Sequence, residues 1–84
     1  GAGLSPATLF DARAVETPEA VALIADGRPV SFGVLKARSD RLARRLRALG
    51  VGPDVRVGLA VDQSPAMVVG LLAVLKAGGG YVPL

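Results

Sequence analysis

Cysteine, histidine and tryptophan are absent from the sequence, and its aromatic residues are two phenylalanines and one tyrosine. Without cysteine and histidine, the chain has no disulfide framework, thiol nucleophile, imidazole base or zinc site of the usual composition. Its start, Gly1-Ala2-Gly3, lacks the basic region and apolar core of a secretory signal. These absences remove most catalytic constellations. We expect a cytoplasmic protein, and we assign no catalytic, cofactor-binding or metal-binding residue within this chain.

Polar residues are also scarce, because 51% of the 84 residues are hydrophobic and the mean hydropathy is +0.49. A small domain hides a smaller fraction of its surface than a large one does. So much apolar surface in a short chain predicts that it belongs to a larger α/β protein.

The first half of the chain predicts a helix, a hairpin and a second helix. Ser5-Pro6 supplies a cap and a first-turn proline for a helix from Pro6 to about Glu16. The runs 20–25 and 30–32 flank Asp26-Gly27, a pair typical of a tight hairpin turn. A leucine stripe predicts an amphipathic helix over 33–49, ended at Gly50 by a Schellman-type contact.

The second half predicts a strand–helix–strand unit with strands at 55–61 and 80–84 and a helix over 66–77. Such a crossover implies parallel strands. The helix has almost no polar face, since its apolar residues are Met67, Val68, Val69, Leu71, Leu72, Val74 and Leu75. A membrane span needs about 20 apolar residues, so we expect a helix buried on all sides, with covering layers that lie outside this chain.

Two short motifs carry a resemblance to a known family. The stretches "VSFGVL", Val30–Leu35, and "LKAGGGYVPL", Leu75–Leu84, resemble the first and second core motifs of the adenylation domains of nonribosomal peptide synthetases. The residues between them, and the opening "LFDARAVETPEAVAL", are similar to that family in order and spacing. The resemblance implies that residues 9–84 are the incomplete start of an adenylation domain and belong to its large N-terminal subdomain. Residues 1–8 would be an interdomain linker or a cloning remnant.

What the resemblance implies for function is ATP-dependent activation of an amino acid as aminoacyl-AMP, followed by loading onto the phosphopantetheine thiol of a carrier protein. ATP and Mg²⁺ are implied for the complete domain. Implied partners are the remainder of the domain, adjacent condensation and carrier domains, and an MbtH-like protein, with no nucleic acid or membrane. The family's ATP-phosphate loop, its amino-acid-selecting residues and its C-terminal lysine would all lie after Leu84, so we expect the isolated chain to be inactive.

Departures from the family pattern concern Val34 and Gly80. Val34 stands where many members have glutamate. The Ser31 side chain can therefore cap the second helix, but no carboxylate at position 34 accepts from the Ser31 backbone N–H in return. Gly80 replaces the more usual alanine, and three successive glycines, 78–80, predict a loose turn.

Three features admit either a functional or a structural interpretation. Gly78-Gly79-Gly80 could approach a phosphate, but no lysine–serine pair follows it, which favours a turn. Lys76 could contact a phosphate, but its place in the last turn favours interaction with the helix dipole and carbonyls. Tyr81 could line a pocket, but an aromatic residue at a strand start more often packs into the sheet face.

The charge distribution provides the alternative hypothesis, a small basic module that binds nucleic acid or another protein through helix 33–49. Six of the ten positive charges lie on that helix, namely Lys36, Arg38, Arg41, Arg44, Arg45 and Arg47. No stacking aromatic residues accompany them, and Asp40 lies among them, which favours a solvated helix face.

Overall fold

The computed structural model describes residues 5–62 and 64–84 and shows a mixed α/β arrangement. The elements in chain order are α1 (Pro6–Glu16), β1 (Val21–Ala25), β2 (Arg28–Ser31), α2 (Phe32–Ala48), β3 (Arg56–Leu59), α3 (Pro65–Lys76) and β4 (Gly80–Pro83). The predicted helix–hairpin–helix followed by a strand–helix–strand unit is therefore confirmed. In the described part of the chain, none of the helices is long and apolar enough to cross a membrane.

Strands β1 and β2 form the predicted antiparallel hairpin, in which Ala25 pairs with Arg28. The two turn residues, Asp26 and Gly27, have φ values of 51° and 75°. Positive φ at both positions defines the turn whose twist matches that of the flanking strands. The second strand begins two residues earlier than predicted and ends one residue earlier. It ends there because Ser31 already caps α2 and Phe32 is helical.

A serine begins each of the three helices. The hydroxyl of Ser5 accepts from the N–H of Thr8 at 3.2 Å, that of Ser31 from Val34 at 3.2 Å, and that of Ser64 from Met67 at 3.1 Å. Each bond satisfies one of the amide groups that a helix start leaves without a partner. The prediction from serine and serine–proline positions is confirmed at all three starts.

Helices α2 and α3 end in the same way, with glycine in a left-handed conformation after the last turn. The N–H of Gly50 donates to Arg47 O and that of Val51 to Leu46 O, at 3.0 and 2.9 Å. This pair of bonds is the Schellman motif, and the prediction of it at Gly50 is confirmed.

Strands β3 and β4 pair in parallel with α3 as the crossover, and Arg56, Val57, Gly58 and Leu59 lie opposite Gly80, Tyr81, Val82 and Pro83. Strand β3 is shorter than the predicted 55–61. The reason is that β4 offers only four partners for its backbone.

The core lies between α2 and α3, with α1 packed against both. Leu35 of α2 and Ala73 of α3 have no exposed surface, and Val74 is 1% exposed. Within α3, Ala66 is exposed and the remaining residues are buried or half-buried. Helix α3 is thus largely buried, and α1, α2 and the β3–β4 pair supply part of its cover from within the chain. Six of its twelve residues remain half-buried, so further cover from outside the chain stays a prediction.

Candidate functional site

Strand β4 presents apolar surface at the edge of the parallel pair. All four of its residues are exposed, including Tyr81 at 46% and Val82 at 40%, and Leu84 just beyond it is 83% exposed. Tyr81 therefore does not pack into a covered sheet face among the described residues, and the structure corrects that expectation. The surface is suited to contact with further protein.

The glycine turn that precedes β4 has no amide group free for a phosphate. Gly78 N–H donates to Leu75 O at 3.0 Å and Gly79 N–H to Val74 O at 3.0 Å, which is a second Schellman motif. Gly80 N–H donates to Val55 O at 2.9 Å as part of the strand pairing. A phosphate cradle needs N–H groups directed at the ligand, so these residues do not fit ATP, and the interpretation as a turn is supported.

The same bonds show that the turn is not loose, in contrast to the sequence-based expectation. Gly78 has φ of 88°, which a residue with a side chain adopts only with strain. A Cβ on Gly79 would lie 2.8 Å from Val51 Cγ1 and 3.2 Å from Val55 O. The first two glycines are therefore required by conformation and by close packing, respectively.

A cluster of charged and polar side chains lies where the three helices meet, and we call it the Lys76 cluster. Its members are Asp11 of α1, Lys36, Ser39 and Asp40 of α2, and Lys76 of α3. The Lys76 side chain is 9% exposed, and its Nζ lies 2.7 Å from Asp11 Oδ1 and 2.8 Å from Asp40 Oδ1. It also donates to Ser39 Oγ at 2.8 Å. One ammonium group thus connects three helices.

The two carboxylates that face Lys76 differ in their hydrogen-bond geometry. The contact with Asp40 is a hydrogen bond, whereas Asp11 Oδ1 is buried and close but lies off hydrogen-bond alignment. Asp40 also accepts from Lys36 Nζ at 2.7 Å through its other oxygen. Two lysines and two aspartates make the cluster neutral at pH 7.

The protonation of Asp40 reflects these contacts. Burial raises the pKa of this carboxyl, but hydrogen bonds from Lys36 and Lys76 and the charges of both lysines lower the pKa by more. The pKa of Asp40 is accordingly below its ordinary value, and the hydrogen bond to Asp40 raises the pKa of Lys36. Asp40 is the charged partner that both lysines share.

Lys76 stands in the last turn of α3, and its backbone carbonyl accepts from Arg47 Nη1 at 3.1 Å. Its ammonium contacts Asp11, Asp40 and Ser39 instead of the helix carbonyls that the sequence predicted. These three side-chain partners were not predicted from the sequence. A lone lysine in an otherwise apolar, buried helix was the available signal, because a buried ammonium needs a carboxylate.

The remaining arginines of α2 form a separate exposed surface. Arg38, Arg41, Arg44 and Arg45 are exposed and lie opposite the buried residues Leu35, Ser39 and Ala43. None of the four forms an ion pair with another residue in the described part of the chain. This geometry agrees with a solvated helix face, and no aromatic platform accompanies it.

Two grooves flank the hairpin, with volumes of about 360 and 400 Å³. The first lies between the hairpin and the start of α2, with Glu19 and Arg38 in its lining. Neither groove adjoins the Lys76 cluster or β4. Among residues 5–62 and 64–84, no group of three carboxylate-type, histidine or cysteine ligands is placed to hold a metal ion.

Comparison with known proteins identifies the family. The family model described as AMP-binding enzyme matches residues 10–84, and the chain belongs to this family. The resemblance inferred from the two motifs is thereby confirmed.

Curated relatives are peptide synthetases. Malpinin synthetase of Mortierella alpina is 51% identical over 76 residues, which is 90% of this chain and 1% of that protein. Tyrocidine synthase 3 of Brevibacillus parabrevis is 49% identical over 76 residues, again 90% of this chain and 1% of that protein. The chain therefore spans a very small part of these relatives.

Solved structures give the same assignment for the fold. The N-terminal subdomain of Klebsiella oxytoca NpsA matches with a TM-score of 0.85 and 28% identity, over 95% of this chain and 21% of that one. The nonribosomal peptide synthetase FmoA3, in a form bound to alpha-methyl-L-serine-AMP, matches with a TM-score of 0.86 and 30% identity, over 99% and 10%. None of these relatives favours the nucleic-acid alternative.

Proposed function

We propose that this chain is the beginning of the N-terminal subdomain of an adenylation domain in a nonribosomal peptide synthetase. The observation that carries the proposal is the match to peptide synthetases, at 51% and 49% identity, over 90% of the chain. The role assigned to the chain is scaffolding: it builds part of the layered core beneath the site for ATP and the amino acid. It supplies no catalytic group.

The complete domain would activate an amino acid with ATP as aminoacyl-AMP and load it onto the phosphopantetheine thiol of a carrier protein. Membership of the AMP-binding family supports this activity, and so does the aminoacyl-AMP held by FmoA3. Mg²⁺ would accompany ATP. We place the protein in the cytoplasm as part of the same proposal, because the reaction consumes ATP.

The isolated 84-residue chain is proposed to be inactive. Two features described above support this: the amides of Gly78, Gly79 and Gly80 are already bonded, and Lys76 Nζ is paired with Asp11 and Asp40. The remainder of the domain would contact the apolar surface of β4. Condensation and carrier domains, and an MbtH-like protein, are the further partners in this proposal.

The test is amino-acid-dependent exchange of labelled pyrophosphate into ATP by the complete adenylation domain, measured across a panel of amino acids. We expect exchange with one amino acid or a few related ones. The chain alone and the remainder of the domain alone should give none, whereas mixing the two should restore it. A complete domain that exchanges with no amino acid, or a chain that catalyses by itself, would contradict the proposal.

A further inference from the structure

The last residue of α3 is held to the rest of the molecule through both its side chain and its backbone. The Lys76 ammonium contacts Asp11 on α1 and Asp40 on α2, at 2.7 and 2.8 Å. The Lys76 carbonyl accepts from Arg47 on α2 at 3.1 Å. The end of α3 therefore has fixed partners on both neighbouring helices.

The Lys76 side chain is 9% exposed, so its charge depends on these partners. Removing a charge from water is unfavourable, and only close carboxylates and further hydrogen bonds offset that cost. The oxygens of Asp40 and Ser39 accept hydrogen bonds from Lys76 Nζ, and Asp11 Oδ1 adds a charge contact at 2.7 Å. A shift of the helix end would leave a buried charge without its partner.

The segment from Lys76 to the first residue of β4 has little freedom to absorb such a shift. Ala77 is 7% exposed, and the next two residues are fixed by the Schellman motif. Gly79 packs so closely that a Cβ there would overlap Val51. Gly80 then enters the strand through its bond to Val55 O at 2.9 Å.

Strand β4 has few other contacts that could set its position. It pairs with β3 along one edge and touches α3, and all four of its residues are exposed. Parallel pairing provides the same backbone bonds after a shift along the strand, and side chains in a covered layer normally decide between registers. Among the described elements, the remaining restraints are the turn from α3 and the Leu84 side chain, which lies over Gly58.

We propose that Lys76 is a positioning residue: its ion pairs with Asp11 and Asp40 fix the end of α3, and thereby the register of β4 against β3. The second part of the inference rests on the proposed function. If this chain is the scaffold beneath an ATP and amino-acid site, a displaced β4 slows adenylation.

The test compares Lys76→Met with Lys36→Met in the complete adenylation domain. Lys36 is the matched control, because it also pairs with Asp40 but lies on α2, away from the glycine turn. Amide hydrogen exchange is followed at Gly80 and at Leu84, the residue after β4, whose N–H groups donate to Val55 O and Leu59 O at 2.9 Å each. We call these two groups the β4 amides. The hairpin amides serve as an internal reference.

We expect Lys76→Met to accelerate exchange at the two β4 amides by about tenfold or more, with hairpin amides unchanged. Lys36→Met should change the β4 amides by less than about threefold, because Asp40 keeps its bond to Lys76. In pyrophosphate exchange, Lys76→Met should lower kcat by about tenfold with a smaller change in KM for the amino acid. If Lys76→Met does not fold, Asp11→Asn, which leaves the Asp40 bond in place, should show the same pattern at smaller size.

Unchanged β4 amides in Lys76→Met, or equal acceleration by Lys36→Met, would overturn the positioning role. Loosened β4 amides with unaltered kcat would overturn its link to adenylation. A wild-type domain with no pyrophosphate exchange would contradict the proposed function, while hydrogen exchange would still test the register.

Discussion

Helix α3 and strand β4 follow each other in the chain and are both apolar, but their environments are opposite. Five residues of α3 are buried, whereas all four of β4 are exposed. The difference comes from topology: as a crossover, α3 packs on α1, α2 and the parallel pair, while β4 has a partner on one edge only within the described part of the chain. Apolar composition thus shows that a segment requires cover, and the order of the elements decides where that cover is found.

Two leucines provide the sharpest test of this comparison, because one is 6% exposed in α3 and the other is 83% exposed after β4. Leu72→Ala should lower the free energy of unfolding by about 2–5 kcal/mol, since it removes buried methyl groups and leaves a cavity. Leu84→Ala should change it by less than about 0.5 kcal/mol. Urea titration measures both, and equal effects would remove the distinction between the two regions.

The glycine turn between the two regions gives an intermediate effect. Gly79→Ala should cost about 1–3 kcal/mol of stability, because the added Cβ meets Val51 Cγ1 at 2.8 Å. Gly80→Ala is the matched control: its Cβ would meet Arg56 Cγ at 3.9 Å, an ordinary contact. We expect that variant to be neutral within about 0.5 kcal/mol. Thermal melting of both variants checks the prediction, which a neutral Gly79→Ala would refute.

Lowering the pH should reduce the stability of the helical region around α3 through Asp40. This effect should be smaller than those of Leu72→Ala and Gly79→Ala, because the Asp40 side chain is 31% exposed. The folded-state pKa of Asp40 lies below the ordinary value of 3.8. Burial raises this pKa, but the bonds to both lysines lower it by a larger amount. The stability it contributes is therefore complete above the unfolded pKa and is lost as pH falls through the folded one.

Urea midpoints measured from neutral pH into this acid range would show the effect. Stability should fall less steeply with acid in Asp40→Asn, whereas Asp62→Asn should leave the contribution of the Lys76 cluster intact, since Asp62 bonds to Ser64 and is not a member of the cluster. If the stability of Asp40→Asn falls with pH as much as that of the parent chain, Asp40 is not the source of the loss.

Local chemistry made most of the fold predictable from sequence. Serine caps, the Asp26-Gly27 turn and the glycine at position 50 each act within a few residues, so their patterns are visible in the printed sequence. Strand bounds were less accurate, because the length of β3 depends on how many residues of β4 lie opposite it.

The Lys76 cluster could not be predicted in the same way. Asp11 and Asp40 are far from Lys76 in sequence, and they meet it only after α1 and α2 have packed against α3. The cover that α1 and α2 give to α3 was not predicted for a related reason, since composition sets how much apolar surface exists but not how three helices arrange it.

The two sheets also imply an order of folding. The hairpin joins Ala25 to Arg28 across a two-residue turn, whereas the parallel pair joins Arg56 to Gly80 across the whole of α3. Hairpins of this kind close in about 1–10 μs, while contacts between residues distant in sequence form more slowly. The hairpin should therefore assemble early, and β4 should join β3 after α3 has docked on α2.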